Sequence, residues 1–212
     1  MNEEFRMSVI VSPLSGYPPE PTKRYTVEEY RVLLQTGTLT EDDPYELLEG
    51  WLLPMMTIGP EHGVVADILR CRIDEHLTSP WLVRPTTAIS LADSMPQPDV
   101  LVVRGPVEQY RHRYAVAEDI ALVVEVSDTS LARDRGFKQR IYARAGIEQY
   151  WIVNLVDRQI EVHTEPQSDS ESPIYAQRAT YGPGQSAVVR LADVPVFEIA
   201  VSELLPPSQA EQ

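Results

Sequence analysis

One seven-residue run constrains this chain more than any other: Ile120-Ala-Leu-Val-Val-Glu-Val126. Its apolar residues do not alternate with polar ones, so a strand built from it must be covered on both faces. That is the pattern of an interior strand in a sheet with layers above and below. One carboxylate, Glu125, falls inside the run. An ionised carboxylate is costly to take out of water unless it is paired, protonated or bound to a metal. The fold must therefore bring Glu125 a partner.

The flanking sequence supplies the layers. Thr26-Val-Glu-Glu29 is a capping box, in which the Thr26 hydroxyl accepts from the Glu29 amide and Glu29 reaches back. It opens a short helix with Tyr30, Leu33 and Leu34 as its apolar stripe, ended by Gly37. Residues 45–50 and 51–56 read as two strands about a Glu-Gly turn, with Pro54 marking an edge or a bend. Residues 62–77 place Val65, Ile68, Leu69, Ile73 and Leu77 at helical spacing. Trp81–Val83, Ala88–Leu91 and Pro98–Val103 are strand-like, and residues 104–119 form a polar connection. Residues 131–145 predict a helix capped by Gly146, in which Gly136 costs roughly 1 kcal/mol relative to Ala. Gln149–Asn154 and Arg158–His163 predict a hairpin, residues 165–173 an acidic loop, Arg178–Tyr181 and Ala187–Leu191 two strands, and Val201–Leu205 a last short helix. The sum is an α/β (mixed α+β) domain with a mixed central sheet flanked by helices.

Four prolines, Pro13, Pro18, Pro19 and Pro21, mark residues 1–22 as a flexible arm; residues 23–205 form the single domain and 206–212 a tail. No stretch approaches the ~18 apolar residues needed to span a bilayer. The first residues do not read as a secretion signal, and the single cysteine, Cys71, excludes a disulfide framework and a thiolate zinc site. The expectation is a cytoplasmic protein without membrane partners. The net charge of −14 speaks against extended, non-specific nucleic-acid binding. Of the 18 basic residues 16 are Arg, and the two lysines are Lys23 and Lys138.

Asp99 heads one apolar run, Glu125 lies near the end of the next, and Lys138 follows 13 residues later on a helix. On neighbouring strands Asp99 and Glu125 can supply oxygen ligands to a hard cation, Mg²⁺ or Mn²⁺, which keeps several waters. Such an ion polarises a phosphoryl oxygen and activates a bound water. Lys138 can orient that water and offset charge on the phosphate.

These residues carry a resemblance. Pro98-Asp99, Val124-Glu125-Val126-Ser127, Asp134-Arg-Gly-Phe-Lys138 and Tyr142-Ala-Arg-Ala-Gly-Ile-Glu-Gln-Tyr-Trp-Ile-Val153 resemble the Uma2 family of endonucleases, within the PD-(D/E)xK, restriction-endonuclease-like superfamily. Tyr45-Glu-Leu-Leu-Glu-Gly50 and His62 extend it over roughly residues 24–205. The bare Asp, Glu, Lys pattern is weakly specific; the stretch from Pro98 to Val153 is much more so. The position two after Glu125 is Ser127 rather than Lys, and the Uma2-like arrangement moves the Lys to the next helix, where Lys138 matches. The resemblance implies a restriction-endonuclease-like core, DNA as substrate, a metal held by Asp99 and Glu125, Glu46 as an additional acid, His62 at the same mouth, and pairing of two copies as a homodimer.

Each residue also has a plainer reading. Glu125 can pair with Arg133 or Arg140, and Lys138 can pair only with Asp134, its neighbour four residues back on one helix face. Arg133 and Arg135 can contact phosphates or decorate a surface, and Tyr142, Tyr150 and Trp151 read as core. Two alternatives stand beside a metal-dependent endonuclease: an inactive binding or assembly module on the same fold, and a metal phosphoesterase acting on small substrates.

Overall fold

The computed structural model describes residues 23–40, 43–192 and 196–205; the expected arm and tail lie outside them. The capping box forms as the sequence predicts, and it starts α1 (Val27–Gln35). Next come β1 (Tyr45–Leu48), β2 (Trp51–Pro54), α2 (Pro60–Asp74), β3 (Trp81–Pro85), β4 (Val100–Arg104) and β5 (Ile120–Ser127). A continuous helical segment follows, made of α3 (Leu131–Arg133), a π-helical turn (Asp134–Lys138) and α4 (Gln139–Arg144). The chain then forms β6 (Gln149–Asn154), β7 (Gln159–Gln167), β8 (Ile174–Tyr181), β9 (Ser186–Val189), β10 (Phe197–Ala200) and α5 (Val201–Leu204).

Six strands make one mixed sheet in the order β3-β4-β5-β6-β7-β8. All neighbours are antiparallel except β5 and β6. β5 is an interior strand, as its apolar run requires. A parallel pair needs a crossover, and here the crossover is the helical segment 131–144.

Alternation along β5 sorts its side chains between the two faces. Leu122, Val124 and Val126 pack with Val65, Leu69 and Ile73 of α2 and with residues of β9, β10 and α5. Val123 packs instead with Ile141 and Tyr142 of α4 and with Leu48 and Leu53 of the β1–β2 hairpin. Each fully buried aliphatic side chain contributes about 1.5–3 kcal/mol. Glu125, next in the alternation after Val123, faces the crossover side.

The hairpin on that side is built by its turn. Glu49 and Gly50 both have positive φ, 48° and 80°, the backbone of a two-residue turn whose twist matches its strands. A Cβ on Gly50 would lie 3.2 Å from Arg24 Cβ and from the Tyr25 carbonyl oxygen. Glu49 is tied to the crossover helix: its carboxylate accepts from Arg140 Nε at 2.8 Å and from Arg144 Nη2 at 2.8 Å.

Several expectations change. Ala88–Leu91 is not a strand; its pairing is one isolated bridge, Ile89 to Ala115. α2 starts two residues earlier than predicted, because Pro60 suits the first helical position, and it ends three residues earlier. β7 continues to Gln167, which shortens the acidic loop. β10 was not foreseen: only Phe197 and Ile199 of its four residues are apolar and inward, too few for a period.

Candidate functional site

Register places the first two acids. Val100 pairs with Val124 across β4 and β5, which brings Asp99, the residue before β4, beside the end of β5 that carries Glu125. The Val126 amide donates to Asp99 Oδ2 at 2.8 Å, which fixes the Asp99 carboxylate against the strand that carries Glu125. From the other side His62, in the first turn of α2, brings Nε2 to 3.2 Å from the same oxygen. Burial lowers the His62 pKa, but the hydrogen bond and charge of Asp99 outweigh it, and the net direction is up.

Glu125 is 3 % exposed and finds two partners on the crossover. Lys138 Nζ lies 3.0 Å from its Oε1, and the Tyr142 hydroxyl donates to the same oxygen at 2.6 Å. Neither Arg133 nor Arg140 pairs with it. Arg133 donates to the Pro54 carbonyl at 2.6 Å and lies 3.4 Å from Glu46, and Arg140 serves Glu49. Lys138 does not turn to Asp134 alone: its ammonium bridges Glu125 and Glu46, at 3.0 and 3.3 Å. Glu46 arrives from β1, 2 % exposed, and also accepts from the Gln97 amide at 3.4 Å.

Asp134, Lys138 and Tyr142 are four residues apart, and all three reach this side of the sheet. In a pure α-helix residues four apart drift by about 40° per step; the wider π turn at Asp134–Lys138 sits where that drift would otherwise accumulate. The Asp134 carbonyl is doubly satisfied, by the Gln139 amide within the turn and by the Tyr150 hydroxyl at 3.1 Å. The Asp134 carboxylate accepts from Ser127 Oγ and Ser130 Oγ, both at 2.6 Å. Ser127 thus fills the place of the missing strand lysine and holds an acid instead.

Glu46, His62, Asp99, Glu125, Asp134 and Lys138 line one small cavity of about 60 Å³, with Arg133 at its side. Its four carboxylates face two fixed cations, Arg133 and Lys138, and the titratable His62, so with every carboxylate ionised the cavity carries two excess negative charges when His62 is neutral and one when it is protonated. The titration behaviour follows. Burial pushes the Glu125 carboxyl well above its usual range; Lys138 opposes this, while Asp134, Asp99 and Glu46 add to it. Burial also raises Asp134, against the pull of Lys138 and the two serines. Lys138 loses charge stability to burial but regains more from Glu125, Glu46 and Asp134, and its pKa is raised. It is a fixed ammonium.

The donor set suits a hard divalent cation: oxygen ligands, with more carboxylates than fixed cations. Among the described residues no three His, Cys, Asp or Glu groups form a ready-made metal cage. An open position with one or two carboxylates and several waters is the arrangement Mg²⁺ takes, and Asp99 and Glu125 are the residues that could hold such an ion.

The sequence reading did not foresee Tyr142 as a partner of Glu125. It also missed the role of Asp134, although the i, i+4 spacing of 134, 138 and 142 was visible. Arg135 points away from the cavity, to the fully buried Glu161 on β7. Arg178 and Asn154 also bond that carboxylate; burial pushes its pKa up, but His163, Arg135, Asn154 and Gln159 outweigh that and hold it low. Tyr150 and Trp151 are core, 0 % exposed.

The Uma2 family model, described as "Putative restriction endonuclease", matches residues 27–202. A solved structure described as a "putative nuclease belonging to DUF820", from Anabaena variabilis ATCC 29413, is similar with a TM-score of 0.64 at 12 % identity, over 87 % of this chain and 98 % of that one. At that identity the likeness speaks to the fold. No curated protein matches. Among the described residues no helix is long and apolar enough to cross a membrane.

Proposed function

The chain belongs to the Uma2 family, and on that footing we propose that it is a metal-dependent endonuclease that hydrolyses phosphodiester bonds in DNA. The observation that carries this reading is the convergence of Asp99, Glu125, Glu46 and Lys138 on one cavity with more carboxylates than fixed cations. Asp99 and Glu125 would hold Mg²⁺ or Mn²⁺. When bound, the ion supplies Lewis-acid polarisation of the phosphoryl oxygen and a more acidic water.

The residues of the chain do the rest. The Val126 amide and His62 fix the Asp99 carboxylate. Tyr142 fixes that of Glu125. Lys138 spends two contacts on Glu125 and Glu46, and its ammonium has three N–H groups. The remaining one is the donor available to the attacking water or to charge growing on the phosphate. Glu46 keeps that ammonium in place.

The test is hydrolysis of supercoiled plasmid with Mg²⁺ or Mn²⁺ by the wild type and by Asp99→Asn, Glu125→Gln and Lys138→Met. Loss of cleavage in folded variants is the expected result. Equal cleavage by all four, or none by the wild type, refutes the reading. Linear product formed without a nicked intermediate would report two chains cutting together.

One observation favours a second reading, an inactive binding module: the cavity's cations, Arg133 and Lys138, are already engaged by protein acceptors. Calorimetric titration with Mn²⁺ separates the two, because the module would bind no metal at millimolar concentration.

A further inference from the structure

A second cavity opens beside the first. It has a volume of about 160 Å³ and lies between α2 and the end of β3. It shares Ile58, His62, Thr86 and Asp99 with the cavity that holds Glu125 and Lys138, so the two are parts of one groove.

Its lining is not that of a phosphate site. Ile58, Ala66 and Pro85 give it apolar walls. A Cβ on Gly63 would meet nothing within 4 Å, so the wall is open there. Ile58, common to both cavities, is 54 % exposed, and Met56, on the first, is exposed as well. Thr86, Asp67 and Arg70 add three polar side chains. Arg70 makes no ion pair among the described residues; its Nη2 lies 3.9 Å from Cys71 Sγ. Apolar walls with a few polar groups are the make-up of a small-ligand pocket. A cavity of about 150 Å³ takes one benzene ring, so this one, open to solvent, takes a single planar ring.

The charge of the chain points the same way. Duplex DNA is bound largely through its phosphates by cations, and this chain carries a net charge of −14. Contact with the face of a base draws on apolar area instead, and every base has such a face.

We infer that the second cavity is a nucleobase subsite, and that the substrate is nucleic acid whose base beside the cleaved phosphate is unpaired: a single strand, or an unpaired stretch within a duplex. This rests on the nuclease reading. With the phosphate at Asp99 and Glu125, the neighbouring ring enters between Ile58, Ala66 and Pro85. Arg70 and Thr86 donate to acceptors on its edge, and Asp67 accepts from its amino groups. In a duplex the same ring is stacked on its neighbours and hydrogen-bonded to its partner, and it reaches the groove only when extruded.

The experiment takes one oligonucleotide in three forms: single strand, perfect duplex, and duplex with a central mismatched bubble. Cleavage with Mn²⁺ is measured as kcat/KM for wild type, Gly63→Leu and Ile58→Ser. The wild type should cleave the single strand, and the unpaired part of the bubble, about tenfold or more faster than the duplex, the order expected for one base contact. Gly63→Leu fills the groove where space is open, and Leu suits a helix better than Gly. It should lower single-strand cleavage about tenfold and duplex cleavage much less. Ile58→Ser, a change at an exposed side chain, should move the ratio in the same direction. A merely structural defect would lower cleavage of all three forms together. A wild type with no preference for the unpaired forms, or a preference that the folded variants keep, overturns the subsite while the nuclease reading stands. A wild type that cleaves none of the three forms and no plasmid overturns both.

Discussion

The Tyr142 hydroxyl donates to Glu125 Oε1 over 2.6 Å, joining the crossover helix to the interior strand 17 residues earlier. Tyr142 is fully buried, and burial together with the Glu125 charge pushes its pKa well above the usual value. It is therefore a permanent donor. Tyr142→Phe removes one donor from a buried carboxylate and should lower stability by about 1.5–3 kcal/mol, measured by urea unfolding. Unchanged stability would show that Lys138 alone satisfies Glu125.

Lys138 has the opposite character, one cation serving two acids. Lys138→Met leaves Glu46 and Glu125 buried without their shared counter-charge. The expected loss is about 3 kcal/mol, in line with other broken buried pairs. Adding Glu125→Gln should return part of it, since the second change removes the stranded charge. A double variant as unstable as the sum of the singles would contradict the coupling.

The pH dependence of Glu125 has a definite sign. Its folded pKa is raised above the ordinary 4.5, so the folded chain binds this proton more tightly than the unfolded one. The stability it contributes is present below pH 4.5 and is lost as pH rises from there through the folded value. In metal-free buffer Glu125→Gln should therefore gain in Tm on the wild type as pH is raised from 4 towards 8. Parallel Tm curves would refute this.

Divalent metal should act in the same direction as that proton. Mn²⁺ binds the ionised carboxylates, so it should raise the wild-type Tm more at pH 8 than at pH 5, with saturation worth about 2.7 kcal/mol at 100 times Kd. Asp99→Asn should abolish the shift. An equal shift in that variant would place the ion elsewhere.

The hairpin that carries Glu46 depends on its turn. Gly50→Ala puts a Cβ into a left-handed backbone and 3.2 Å from two atoms of the preceding segment. The expected cost is about 1–2 kcal/mol, with reduced cleavage because Glu46 moves with the strand. Unfolding and cleavage assays together check both halves.

Much of this was written in the sequence. The uninterrupted apolar run made β5 interior, and its one acid made a buried partner necessary. The nearness of Asp99 to Glu125 followed once β4 was antiparallel to β5. What the sequence did not carry was rotation about the crossover axis. Spacing alone allowed Lys138 to face either Asp134 or Glu125, because a π turn leaves no periodic mark beyond a tolerated Gly136. His62 against Asp99 depended on where α2 begins, which Pro60 decided. Arg140 went to Glu49 because the hairpin folds under α4, a contact 91 residues apart with no local signature.

The π turn has a consequence for how this domain tolerates length changes. A helix is a phase-keeping device: one residue removed between Asp134 and Lys138 would either restore an α turn or rotate everything after it by about 100°. Only the first outcome leaves Tyr142 on Glu125. Insertions and deletions should therefore be far better absorbed in the acidic loop between β7 and β8 than in these five residues, where the count itself is part of the site.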